Sequence, residues 1–345
     1  MRGIRVVALA GVVFAAGGLV GCGGGGEKKA TPKTHQQIVR ETAQGTVEIT
    51  ARVGNDYYGG TGIVLNVPQG LVLTAAHVVA GASTLSTRYK DQIRTAQLLG
   101  EAPCEDIAML KVSDPQQGMR AIPLGHSDQI QSGQEITLLG FPQSFQNPKR
   151  DEKVVSAGGH TSVDGTVSAT PDDSLPEYSE AIEHDAASTH GDSGGPVVNA
   201  KGKLVGMTVL GNPEADNQNY AVAVDHIRRF LPALKAGKFT AYVGWDLIPV
   251  SQLSEKDKND IGWKYVPFGA NQDEGMFILG VDSDSPSANH KFGFGDYVRE
   301  INHSAVNTMS DVCEILESNE GRIIDVKGYD LFDTGDAYHE KMRVR

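Results

Sequence analysis

From residue 46 to residue 112 the chain is a succession of short, alternating apolar runs separated by glycine, proline and asparagine, and that pattern leaves few folds open. Val47, Ile49, Ala51 and Val53 alternate with polar residues, and Gly59 to Leu65, Gly70 to Thr74, Arg94 to Gly100 and Ile107 to Val112 continue the pattern. Evenly spaced strands with no helices between them hide their edges by closing on themselves, which predicts a small barrel of about six strands. A second set begins near Gly133 and runs through Glu135 to Gly140, Gly165 to Ala169, Ala181 to His184, Gly195 to Val198 and Leu204 to Val209. The predicted class is mainly β, with two six-stranded antiparallel barrels. Helices fall at the margins. Thr34-His35-Gln36-Gln37 has capping-box spacing and starts one helix to about Ala43, and Asp225 caps another over His226 to Leu234.

The chemistry sits in three segments of this frame. In Thr189-His190-Gly191-Asp192-Ser193-Gly194-Gly195-Pro196, glycines on both sides let a tight turn present the Ser193 hydroxyl, with backbone N–H groups aimed where an oxyanion would form. A serine needs a base, and the base needs an orienting carboxylate. His77 stands at the end of an apolar run in Thr74-Ala75-Ala76-His77-Val78-Val79, and Asp106 at the start of another in Glu105-Asp106-Ile107-Ala108. Glu105 faces away from Asp106 if the segment is extended and reads as a bystander, as does His190. The remaining histidines show no His-Glu-x-x-His pair and no Cys/His spacing, so neither a metal nor a cofactor is expected.

Taken together, the three segments resemble the chymotrypsin-like serine proteases, and within them the bacterial HtrA/Deg proteases, which carry a PDZ domain behind the protease. The resemblance covers roughly residues 36–235. It implies His77, Asp106 and Ser193 as the triad, the N–H groups of Gly191 and Ser193 as oxyanion hole, and unfolded proteins or peptides as substrates. It also implies a homotrimer. By the same analogy Ala187, Ser188, Met207, Thr208 and Val209 line the specificity pocket, with Tyr220 to Val222 beside them. None of these carries a charge, so Val, Ala, Ile or Thr is expected before the cut rather than Lys or Arg. Asp185 lies too early in the motif to reach the pocket floor. Two residues depart from the family pattern: Asp192 stands where asparagine is usual and His190 where proline is usual, which bears on the resting shape of the oxyanion loop. Pro142 to Val163 and Pro171 to Glu180 read as long polar loops, of a kind that switches the site in that family.

The ends of the chain add an address and a second module. Arg2 and Arg5 precede an apolar run from Val6 to Val20 that closes in Leu19-Val20-Gly21-Cys22, which resembles a bacterial lipobox. Residues 1–21 are then a lipoprotein signal, Cys22 the lipidated residue and membrane anchor, and 22–35 a tether; the destination is the bacterial cell envelope, facing periplasm or exterior. The protease would occupy 36–235, as barrels of about 36–125 and 126–235. Residues 240–345 resemble one PDZ domain that binds peptide C-termini, with Tyr242, Val243, Gly244 and Trp245 as its carboxylate loop and Val312, Ile315 and Leu316 on the groove helix, started by Ser310/Asp311. A net charge of −12, or −14 without Arg2 and Arg5, excludes nucleic acid as a partner. Three cysteines give no disulfide framework, because Cys104 and Cys313 fall in different domains. A catalytically silent PDZ scaffold or chaperone of the envelope is the alternative to the endopeptidase.

Overall fold

The computed structural model describes residues 33–54, 56–114, 117–142, 160–172, 181–211, 218–253, 274–282, 285–291, 293, 295–330 and 336–345. The signal, the lipobox with Cys22, and most of the tether and of the two long loops lie outside the described residues. Among the described residues no helix is long and apolar enough to cross a membrane.

Two closed six-stranded antiparallel barrels form as the strand pattern predicts. The first contains β1 (Thr46–Val53), β2 (Asp56–Asn66), β3 (Leu71–Thr74), β4 (Thr84–Tyr89), β5 (Gln92–Ala102) and β6 (Ile107–Val112), in the order β1-β2-β3-β6-β5-β4. The second contains β7 (Glu135–Gly140), β8 (Thr161–Asp172), β9 (Ala181–His184), β10 (Pro196–Asn199), β11 (Leu204–Gly211) and β12 (Asn219–Ala223), in the order β10-β11-β12-β9-β8-β7. Strand β8 takes in both Thr161 to Val163 and Pro171, which the loop composition had suggested lay outside any strand. Alternation sets what each barrel buries. Val47, Ile49, Val64, Val72 and Leu110 fill the first and Ile136, Leu138, Ile182, Val197 and Val205 the second, all nearly inaccessible. Each such side chain contributes about 1.5–3 kcal/mol.

Helix α1 (His35–Ala43) starts at the expected capping box, in which the Gln37 N–H donates to Thr34 Oγ1 and the Thr34 N–H to Gln37 Oε1. Helix α2 (Val224–Lys235) buries Val224, Ile227, Leu231 and Leu234 along one stripe. Its N-cap is Ala223 rather than Asp225. The Asp225 carboxylate instead accepts the N–H groups of Ser127 and Asp128, fastening the helix start to a neighbouring turn.

Beyond α2, Lys238 to Thr240 runs parallel to the end of β5, with the Thr240 N–H donating to the Glu101 carbonyl at 2.9 Å. A third sheet follows: β13 (Trp245–Pro249), β14 (Met276–Val281), β15 (Tyr297–Ile301), β16 (Ser304–Ala305), β17 (Ile323–Tyr329) and β18 (Ala337–Arg343). Its order is β13-β14-β15-β17-β18, with β16 on β15, so β13 is an edge strand. Helix α3 (Met309–Ser318) begins two to three residues earlier than its sequence suggested, at a Thr308 N-cap whose box partner is Asp311. Residues 33–345 form one compact unit.

One covalent bond corrects the reading of the cysteines. Cys104, in the turn before β6, and Cys313, on α3, form a disulfide with Cα atoms 5.5 Å apart across 209 residues. A bond that spans so much chain leaves no local spacing to read. The Gly81 N–H adds a second tie by donating to Asp282 Oδ1 at 2.5 Å.

Candidate active site

His77 enters the cleft because β3 ends at Thr74 and the chain turns through a short 3-10 segment, Ala76–Val78, whose Ala76 and Val78 are buried while the imidazole is left 44% exposed. Asp106 enters because the turn Pro103–Glu105 ends with Asp106 itself in the left-handed region, at φ 51°. Aspartate tolerates that conformation better than most residues. The two lock together: the His77 backbone N–H donates to Asp106 Oδ1 at 2.9 Å, and Oδ2 lies 2.8 Å from His77 Nδ1. Burial works to lower the imidazole pKa, but the Asp106 charge and hydrogen bond, with Asp246 adding to them, outweigh it and raise the pKa overall. An aspartate so placed fixes the tautomer and leaves Nε2 toward the cleft.

Ser193 arrives from the second barrel on the turn before β10. Gly191 has φ +97°, and Gly194 has φ +82° with room for no side chain, since a Cβ there would lie 2.1 Å from the Thr61 carbonyl oxygen. The Ser193 hydroxyl donates to the Val209 carbonyl at 3.1 Å, not to His77. Among the described residues the N–H groups of Gly191 and Ser193 have no acceptor. Asp192 is buried with its Oδ2 accepting from the Thr189 N–H and hydroxyl, while its Oδ1 has no partner.

Sequence reasoning missed Thr61, which joins the two barrels at this point. Its N–H donates to the Ser193 carbonyl at 2.8 Å and its hydroxyl to the Gly191 carbonyl at 2.7 Å. The same hydroxyl accepts the Phe141 N–H at 2.9 Å, and its carbonyl accepts the Thr74 hydroxyl at 2.8 Å. A threonine within a glycine-rich strand carries no signal of this role.

The other expected site residues fall as follows. Met207, Thr208 and Val209 are buried along β11, Ser188 is half-buried and Ala187 exposed. Asp185 accepts the Thr166 N–H and hydroxyl, and those bonds lower its pKa. Glu105 is no bystander: it pairs with the buried His226 of α2. Tyr242, Val243 and Trp245 are buried in the third sheet's region, and the Tyr242 hydroxyl donates to Asp282 Oδ2 at 2.7 Å. Gly244, at φ +86°, admits no side chain against Ser285. The helix face differs from expectation. Val312 and Leu316 turn into the core of the third sheet with Ile315 packed beside them, whereas Met309, Ser310, Cys313, Glu314 and Glu317 face the open edge of β13. Apolar spacing picked out the face that is buried, and the face toward β13 is the mixed one. Among the described residues the ligand atoms of His126, Asp128 and Asp225 converge as a metal site would require, but Asp225 is spent on backbone N–H groups and on Arg228.

Two barrels with a His-Asp pair on one and a glycine-flanked serine turn on the other form the kind of arrangement that chymotrypsin-like serine peptidases use. The trypsin-like peptidase domain model matches residues 60–207. More narrowly, the chain is similar to HtrA-type proteins. It is 30% identical over 264 residues to HhoB of Synechocystis sp., provisionally named a serine protease, covering 76% of this chain and 60% of that one. The Do-like serine protease HtrA of Bacillus subtilis is 27% identical over 78% of this chain and 60% of its own length. A DegP-like protein of Ectopseudomonas mendocina with "periplasmic serine endoprotease" in its name is 28% identical over 74% and 50%. The chain thus spans half to three fifths of the length of these relatives. The solved structure of the HtrA-type protease AlgW with a tripeptide shares the fold, with a TM-score of 0.53 at 22% identity over 90% of this chain and 96% of that one.

Proposed function

We propose that this chain is a serine endopeptidase of the HtrA/Deg type that cleaves unfolded or damaged proteins. The observation that carries the reading is the His77–Asp106 pair, doubly hydrogen-bonded and facing the Ser193 turn held by Thr61. In the first step Ser193 Oγ bonds to the peptide carbonyl carbon as its proton passes to His77 Nε2, and the N–H groups of Gly191 and Ser193 take the oxyanion. His77 then gives that proton to the leaving amine as the C–N bond breaks. Water repeats the sequence on the acyl-enzyme and frees Ser193. For this the Ser193 side chain must swing from the Val209 carbonyl toward His77. Met207 to Val209, with Ala187 and Ser188, would form an uncharged pocket for Val, Ala, Ile or Thr.

The third sheet is read as a PDZ-type module with its peptide groove between β13 and α3. Lipid on Cys22 would hold the protein to the envelope, a reading in keeping with the DegP-like relative's name, and a homotrimer would be its assembly. The Ser193 contact with Val209 favours one rival, a silent scaffold. A fluorophosphonate probe separates the two: wild type labels and cuts an unfolded protein, Ser193→Ala does neither and loses at least about a thousandfold in rate. A wild type that binds peptides but neither labels nor cuts would be the scaffold.

A further inference from the structure

Between the first barrel and the third sheet lies a recess of about 580 Å³ that reaches from His77 and Asp106 to the edge strand β13 and helix α3. Its charge is one-sided. Among the described residues Glu101, Glu105, Asp246, Glu314 and Glu317 line it together with Asp106, and no lysine or arginine does. We propose that this recess is a subsite for a basic side chain of the bound polypeptide, a lysine or arginine close to the cut bond, with Glu101 and Asp246 receiving its cationic head. The proposal deepens the peptidase reading and rests on it for the identity of the ligand as a polypeptide.

Glu101 supplies the strongest observation. It is 2% exposed, lines the recess, and among the described residues its Oε2 has no hydrogen-bond partner. A buried carboxylate without a partner is costly, and a donor that arrives with a positive charge removes the cost at its source. Burial pushes the Glu101 carboxyl well above the usual range, and Asp282, Asp106 and Asp246 push it further. Asp246, on β13, is raised by burial to about 7, with His77 pulling the other way and Asp282 and Asp106 adding to the rise. A cation entering between Glu101 and Asp246 would draw both toward the ionised form.

The shape fits a long side chain rather than a bare ion. Leu247, Ile248 and Met309 give the walls an apolar stretch along which a methylene stem can lie while its head reaches the carboxylates. The acids of the recess do not converge at metal-ligand spacing; among the described residues only His126, Asp128 and Asp225 do. The Cys104–Cys313 disulfide, itself in the lining, ties the two walls, so the subsite is formed before the ligand arrives and little is lost in ordering it.

The test uses the full chain carrying Ser193→Ala, which removes cleavage from the measurement. Peptides built around one valine, acetylated and amidated at their ends, carry lysine or norleucine in turn at each of four positions on either side, and binding is read by fluorescence anisotropy. At one position lysine should bind about tenfold more tightly than norleucine. Glu101→Gln and Asp246→Asn, each added separately, should bring that ratio close to one; Asp246, half-buried at the rim, serves if the Glu101 variant does not fold. Equal binding of lysine and norleucine at every position, no binding of any peptide, or a ratio that survives both substitutions overturns the proposal. Fluorophosphonate labelling of the chain with Ser193 intact judges the peptidase reading separately, so labelling without a lysine preference would sink the subsite and leave the peptidase standing.

Discussion

On the first-barrel side of the cleft His77 and Asp106 satisfy each other through two hydrogen bonds, one of them to backbone. On the second-barrel side the Ser193 hydroxyl rests on the Val209 carbonyl, and Asp192 Oδ1, Thr208 Oγ1 and both ring nitrogens of His184 are buried with no partner of good geometry. A buried polar atom left unpaired costs about 1–3 kcal/mol, so the strands and turn around Ser193 hold free energy that the His77–Asp106 pair itself does not. The proposed base is thus already in the arrangement the mechanism needs, while the proposed nucleophile is bonded elsewhere. Part of what holds it comes from the other barrel, through Thr61.

Breaking that cross-barrel hold should have the largest effect. Thr61→Val keeps the shape of the side chain but strands the Gly191 carbonyl and the Phe141 N–H, both now bonded to the Thr61 hydroxyl. Denaturant titration should show a loss of about 2–4 kcal/mol, from two groups at about 1–2 each. The loop bearing Ser193 should shift as well, lowering kcat/KM on an unfolded substrate by about tenfold or more. A variant as stable and as active as wild type would mean that the nucleophile turn holds itself.

A smaller effect should appear in acid. Burial pushes the His184 imidazole down to about 4 from 6.5, the Ala186 backbone and Asp185 acting weakly the other way. The folded state therefore keeps the ring neutral where the unfolded chain has protonated it, and stability is lost as pH falls from 6.5 through 4. The loss amounts to about 3 kcal/mol. His184→Phe should flatten that limb, so chemical denaturation at pH 7 and pH 4 should show wild type falling further than the variant. Parallel losses would mean that His184 is paired and that the two sides of the cleft are more alike than their geometry suggests.

Which side was legible in the sequence follows the same division. The places of His77, Asp106 and Ser193 were readable because each sits where a strand meets a turn, and strand ends can be read from alternation and glycine. The strands with the strongest alternation were equally plain, whereas β4 was not picked out, since Leu85, Thr87 and Tyr89 are its inward residues and only two of them are apolar. What joins distant segments was not legible. Thr61 to Gly191, Glu105 to His226 and Cys104 to Cys313 are pairings of ordinary residues over 130, 121 and 209 positions, and nothing local announces them. On α3 the apolar spacing identified a face truly, but it is the face that the core takes and not the one turned to β13.

The last and smallest effect concerns Asp192 itself. Burial raises its carboxyl above the usual range, and the N–H and hydroxyl of Thr189 only partly oppose this. Its Oδ1 lies against Gly140, where a Cβ would come within 2.2 Å. An acid whose folded pKa is raised binds its proton more tightly when folded, so its favourable contribution is whole below 3.8 and is lost as pH rises through the folded value. Asparagine keeps the Thr189 contacts and never ionises. Asp192→Asn should therefore match wild type near pH 4 and become the more stable protein toward pH 8, by on the order of 1 kcal/mol. Thermal midpoints across that range decide the matter. If wild type instead gains on the variant as pH rises, the ionised Asp192 has a partner, and the nucleophile side is as well satisfied as the base side.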